Sequence, residues 1–226
     1  MRDFKKLQKE IGTDFKDEQL LVNAFVHRSY LNENSEFQEH NERLEFLGDA
    51  VLELVTTEFL YKNYPNPEGD LTNWRSALVK TETISDVSGK LGFEDYLFLS
   101  RGESKSKGRA RQLILANCFE AVIGAIYLDK GYGEAKKFIT KHLLKLLDEI
   151  LEKKLYVDPK SLLQELAQRK ESITPRYDVL SETGPDHKRI FKIGVFLNEK
   201  KIGEGEGASK QLAQQAAAED ALKSYK

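Results

Sequence analysis

Glu42, Glu45 and Asp49 stand at i, i+3 and i+7 in the run His40-Asn41-Glu42-Arg43-Leu44-Glu45-Phe46-Leu47-Gly48-Asp49, so a helix there carries three carboxylates on one face. Like charges at that spacing repel. The row is therefore either a solvated acidic face or one wall of a cation site. Gly48 favours the second reading, because a mid-helix glycine costs about 1 kcal/mol relative to alanine and marks a close packing contact. A second pair, Asn117 and Glu120, lies i, i+3 in the very apolar stretch Gln112 to Asp129. A glutamate in such a helix must be paired, hydrogen-bonded or ligated. Two helices would then present Glu45, Asp49, Asn117 and Glu120 to a common point. Oxygen-only ligands of this kind suit Mg²⁺ or Mn²⁺, not zinc.

The elements that must position these groups read as follows. The acidic row begins a long helix, about Asn41 to Tyr61, with Asn41 as N-cap and Leu44, Leu47, Val51 and Val55 as the stripe facing a core. It ends near Asn63, before Pro65 and Pro67. Glu68 follows, either a loop carboxylate aimed at the acidic row or a turn residue, with a further helix beginning over Leu71 to Lys80. Helical periodicity continues through Thr83 to Leu91, and Gly92 is the C-terminal stop. Upstream, Phe4 to Ile11 and Glu18 to Val26 are short amphipathic segments. His27 reads as structural, since no second metal-type residue sits at helical spacing. Gly102 to Arg111 reads as a flexible loop whose Lys105, Lys107, Arg109 and Arg111 either touch phosphates or are merely solvated. One more helix over Gly131 to Asp148 completes an all-helical region of about 150 residues.

Composition shifts at residues 152–158, the expected linker between domains 1–151 and 159–226. Asp158-Pro159 is a helix start with an N-cap and proline at the first position, and that helix runs to Lys170. The period then changes to two. Arg176 to Ser181 alternates; Arg189 to Asn198 places Phe191, Ile193, Val195 and Leu197 on one face; Lys200 to Glu206 is a third strand. An alanine-rich helix from Ser209 to Tyr225 closes a small α+β module of order α-β-β-β-α.

Composition excludes several classes. The chain of 226 residues is 40% hydrophobic and 32% charged, as ordinary globular proteins are. No apolar run approaches the roughly 20 residues that span a bilayer, and no secretory leader opens the sequence. One cysteine, Cys118, excludes an internal disulfide and a cysteine-based zinc site, and a reducing cytoplasm is the expected compartment. Net charge is −2, so any nucleic-acid binding depends on local placement of basic residues and not on a bulk field.

The Asn41 to Leu52 block closely resembles the signature of the ribonuclease III family of double-stranded-RNA endonucleases, and the Leu115 to Asp129 block resembles its second conserved segment. The C-terminal module, ending Gly-Glu-Gly-Glu-Gly-Ala-Ser-Lys-Gln-Leu-Ala-Gln-Gln-Ala-Ala over residues 203–217, resembles a double-stranded-RNA-binding domain. Such modules read the minor groove through 2′-hydroxyls and phosphates. The resemblance implies a Mg²⁺-dependent homodimer, with Mn²⁺ able to substitute. It further implies cleavage of duplex RNA to 5′-phosphate and 3′-hydroxyl ends with a short 3′ overhang, in rRNA and mRNA maturation. By position, Glu45, Asp49 and Glu120 would be catalytic metal ligands with Asn117 beside them, and Glu42 and Glu68 accessory acids. Phe46 would pack into the partner subunit. Gln164, Gln168, His187, Lys210, Gln211 and Gln214 would meet RNA. Two positions depart from the family pattern: Asn117 where it has aspartate, and Gln211 where a second basic residue is common.

Three functions are thus in contention. They are a duplex-specific endoribonuclease, a catalytically impaired duplex-binding form on account of Asn117, and a helical scaffold with a protein-binding module.

Overall fold

The computed structural model describes residues 2–185 and 188–225. They form two compact units, Met1–Tyr156 and Val157–Lys226. The first is mostly helical; the second is a three-stranded sheet with two helices.

The first unit contains α1 (Phe4–Ile11), α2 (Glu18–Ala24), α3 (Arg28–Leu31), α4 (Glu42–Asn63), α5 (Glu68–Val79), α6 (Thr81–Lys90), α7 (Arg109–Lys130), α8 (Tyr132–His142) and α9 (Leu147–Glu152). It is built around the pair α4 and α7, against which α2, α5, α6 and α8 pack. Most of α7 is buried, from Ile114 through Ile126, which explains its apolar sequence. By length and mean hydropathy (1.3) α7 matches a membrane-crossing helix, more than the sequence reading allowed, but 61% of that window is buried inside the fold. Among helices of this kind the core role is the ordinary one.

Gly48 and Gly124 make the central contact possible. A Cβ on Gly48 would stand 1.7 Å from the Glu120 carbonyl oxygen, and one on Gly124 would stand 2.2 Å from that of Leu44. The two backbones therefore touch where a side chain on either would hold them apart. This is the close packing that a mid-helix glycine implied.

Several boundaries differ from expectation for identifiable reasons. Asn41 is not a side-chain N-cap: its backbone is already helical and it makes no capping bond. It is buried instead, with its side-chain amide donating to the Ala24 carbonyl (3.3 Å) and its backbone N–H to that of Val26 (2.8 Å). It thus pins the start of α4 to the end of α2. Helix α5 begins at Glu68, three residues early, since Pro67 delivers the chain and two acidic residues in the first turn suit the helix dipole. The region after α8 is not one helix; the chain breaks at Leu143, makes a 3-10 turn over Leu144–Leu146 and resumes as α9. Residue Tyr156, in the expected linker, stacks edge-on against Trp74 and so is anchored to the first unit.

The second unit runs α10 (Pro159–Glu171), β1 (Arg176–Thr183), β2 (Ile190–Leu197), β3 (Lys200–Gly207), α11 (Lys210–Ser224). The strands are antiparallel in sequence order. Asp158 caps α10 by accepting from the backbone N–H groups of Lys160 and Ser161. Ile193, Val195 and Leu197 are buried as the alternation predicts. In β3, Gly203, Gly205 and Gly207 alternate with outward glutamates, and a Cβ on Gly205 would strike the Ala217 nitrogen at 2.2 Å. Ala213, Ala217 and Ala221, at successive fourth positions of α11, are wholly buried on this glycine face. Helix and strand are flush because neither carries bulk.

Candidate functional site

The Gly48–Gly124 contact sets the site. Glu45 and Asp49 flank Gly48 on α4, and Asn117 and Glu120 lie two turns and one turn, respectively, before Gly124 on α7. Glu45, Asn117 and Glu120 are half-buried, while Glu42 and Asp49 are exposed. Glu120 is pushed up to about 8, first by burial and then by repulsion from Asp49, Glu45 and Glu53. Glu45 is also raised, by burial and by Glu42, against which a hydrogen bond from Asn117 works. A carboxylate can only accept, so the donor is the Asn117 amide nitrogen. Thus Glu45, Asp49, Asn117 and Glu120 lie near enough on α4 and α7 to act on one another electrostatically.

Among the described residues no three carboxylate, histidine or cysteine side chains close on one point unaided. The acids form an open group on two helices instead of a cage. That arrangement fits Mg²⁺, a hard cation usually held through one or two carboxylates with several waters retained. Clustered oxygen donors whose charges raise one another's proton affinity are the electrostatic counterpart of such an ion.

Two cationic bounds of the row escaped the sequence reading. Glu42 faces Arg28 (3.5 Å) and His40 (3.9 Å), and Glu53, one turn beyond Asp49, pairs with Arg75 of α5 (3.1 Å). The two arginine contacts join different helices, so no local spacing reveals them.

Glu68 does not join the acids of its own chain. It accepts from Thr72 Oγ1 (2.8 Å) in the first turn of α5 and lines a cavity of about 610 Å³ with Leu60, Tyr61, Tyr64, Leu71 and Arg75, at the far end of α4. Phe46 is 82% exposed, and with Leu54 and Tyr61 it leaves α4 an uncovered apolar face. The segment expected as a loop over Gly102 to Arg111 ends early, since α7 begins at Arg109, and Arg111 in its first turn is not free for phosphate: its guanidinium donates to the Ser104 carbonyl (2.8 Å) and meets Glu94. Lys105, Lys107 and Arg109 are exposed.

In the second unit, Gln164 and Gln168 are exposed one turn apart on α10 and line one shallow groove. Lys210 opens α11, where Ser209 accepts from the Leu212 N–H, and its ammonium lies over the Phe191 ring (5.5 Å) and 3.6 Å from Glu182. Gln211 is exposed. Gln214 departs from expectation: it is half-buried and accepts from Lys160 Nζ (2.7 Å), so it does not continue the exposed face. His187 lies outside the described residues.

A helical domain with an acidic two-helix site, followed by an α-β-β-β-α module presenting a lysine at a helix start, defines a nucleic-acid-directed protein. Known families agree. Residues 17–147 match the model described as Ribonuclease-III-like, and residues 159–225 match the double-stranded RNA binding motif. Ribonuclease 3 of Protochlamydia amoebophila is 47% identical over 98% of this chain and 92% of its own length. That of Treponema denticola is 45% identical, over 94% and 87%. The solved nuclease domain of Ribonuclease III from Campylobacter jejuni, described as flexible in a region involved in dimer formation, matches with TM-score 0.57 and 37% identity, covering 63% of this chain and 97% of that one. The chain belongs to the ribonuclease III family.

Proposed function

We propose that this protein is an endoribonuclease that cuts both strands of duplex RNA, leaving 5′-phosphate and 3′-hydroxyl ends, in the maturation of rRNA and mRNA. The observation that carries the reading is the backbone contact at Gly48 and Gly124, which brings carboxylates from α4 and α7 to one place. A scaffold has no use for a site whose half-buried glutamate is raised to about 8 by burial and by its acidic neighbours.

Glu45, Asp49 and Glu120, with the Asn117 carbonyl oxygen, would hold Mg²⁺ or Mn²⁺. When bound, such an ion would supply charge neutralisation for the phosphodiester and a more acidic water as nucleophile. The chain's own groups do the rest. Asp49, exposed, faces the substrate side, while half-buried Glu45 and Glu120 fix the depth of the site. Arg28 and Arg75 bound the acidic row at either end and keep Glu42 and Glu53 from drifting into it.

The active form is a homodimer. The exposed apolar face of α4 requires a cover, and a second copy supplies one: Phe46 is a knob and the cavity beside Tyr61 and Tyr64 a socket. Glu68 on that socket would then reach the partner's acidic row, as an accessory acid. The C-terminal module holds the duplex through Gln164, Gln168, His187, Lys210 and Gln211. The cytoplasm suits the buried thiol of Cys118.

A second reading, an impaired form, rests on Asn117, which donates a hydrogen bond to Glu45 where the family pattern has another acceptor. One experiment separates the two. A labelled duplex of about 30 base pairs is incubated with Mg²⁺, with Mn²⁺ and with chelator, beside Asn117→Asp. Staggered metal-dependent cuts by the unaltered chain establish the nuclease. Cutting only by Asn117→Asp establishes the impaired form, and no cutting by either sinks the catalytic assignment.

A further inference from the structure

Beside the acidic row lies a second cavity, of about 680 Å³, whose wall carries His27, Arg28, Ser29, Asn32, His40 and Glu103 and whose floor is apolar. It adjoins the acids through Glu42, which contacts both Arg28 (3.5 Å) and His40 (3.9 Å). Glu42 and Asp49 are two turns apart, about 10 Å along α4. Successive phosphates of one nucleic-acid strand are closer together than this, so a phosphate one or two positions from the reacting one falls within that span.

The cavity has fixed donors. His27 Nδ1 accepts from the Ser29 backbone N–H (3.3 Å) and lies 2.8 Å from Ser29 Oγ, an oxygen that itself accepts from the Ser100 N–H (3.1 Å). A backbone N–H can only donate, so Nδ1 is the acceptor of the Ser29 N–H and the ring proton is assigned to Nε2. Burial lowers the pKa of the ring and so favours its neutral form. The result is a single N–H donor in one orientation, next to a guanidinium that is 71% exposed. Such a pair matches a phosphate oxygen: one charge and one directional hydrogen bond. Glu103, on the same wall, opposes an anion and tunes the site.

We propose that this cavity is a phosphate subsite, in which Arg28 and His27 hold a phosphodiester of the bound RNA strand next to the one presented to Glu45, Asp49 and Glu120. The subsite rests on the duplex-nuclease reading. It makes Arg28 and His27 positioning residues that fix the register of the strand along α4.

The test measures binding of the full chain to a duplex of about 30 base pairs, in chelator, over a range of salt. Arg28→Ala is expected to weaken binding by about tenfold and to reduce the slope of log affinity against log salt by about one, as loss of one phosphate contact does. The same change in an Arg28→Ala/Glu42→Gln pair shows that the effect is not repulsion from an unpaired Glu42. His27→Leu is expected to weaken binding with the slope unchanged, because a neutral donor releases no counterion. Glu103→Gln is expected to tighten it, a gain that misfolding cannot produce. If the unaltered chain binds and all these variants match it in affinity and slope, the subsite is overturned and the nuclease reading stands. If the unaltered chain fails to bind duplex at all, both fall.

Discussion

Glu120 sits among apolar side chains of α7 yet faces Asp49 and Glu45, and its raised proton affinity records that conflict. The spacing of Asn117 and Glu120 announced a shared face; that the amide of Asn117 turns its nitrogen toward Glu45 did not follow from spacing. Two expectations belong at this scale. Lys210 stands at the start of α11, where backbone N–H groups already favour a phosphate. Lys210→Ala should weaken duplex binding about equally across sequences and lower the salt slope by about one, read by titration at several salt concentrations. His142 is buried against Phe138, and its Nε2–H donates to the Ile11 carbonyl (3.2 Å). Burial lowers its pKa below 6.5 despite that bond. As pH falls from 6.5 toward the folded value, the unfolded ring takes up a proton that the folded ring does not, so stability declines on the acid side and is level above it. His27 acts in the same direction. His142→Gln should flatten part of this decline in urea midpoints taken at pH 7.5, 6.5 and 5.5; an unchanged decline would refute the assignment.

At the scale of elements, α4 and α7 are held at backbone contact by two glycines. Gly48→Ala must either part the helices or displace the Glu120 carbonyl, and overpacking of this kind typically costs about 1–3 kcal/mol. We expect a lower urea midpoint with an unchanged m-value, and a loss of metal-dependent cleavage greater than the stability change explains, because the carboxylates on the two helices would no longer share one site. A wild-type midpoint would show that the contact is not obligatory. The sequence made this pairing legible, since glycine in a helix interior has few other uses. The early start of α5 and the break after α8 were less legible. Both depend on how the chain is delivered to the core, at Pro67 and at Leu143, and local periodicity is nearly the same on either side of such points.

For the whole molecule, the exposed Phe46 and the socket near Tyr61 make one testable pair. Phe46→Asp places a charge on the apolar face and should shift sedimentation from dimer to monomer at micromolar concentration, with cleavage falling in step; a variant that remains dimeric would refute the knob. The sequence by itself determined the two-part architecture, the acidic row with its partner helix, and the alanine-rich character of α11. Each of these is a periodicity or a residue type with one structural use, and such signals are local. Only the tertiary structure decided which of those residues are free to act. Arg111 and Gln214 are engaged by groups elsewhere in the fold, Asn41 staples α2 to α4, Glu68 belongs to a cavity apart from the acids, and Arg28 and Arg75 bound the acidic row. Most of these outcomes rest on partners from other elements of the fold, and no spacing along a chain encodes which of them will arrive.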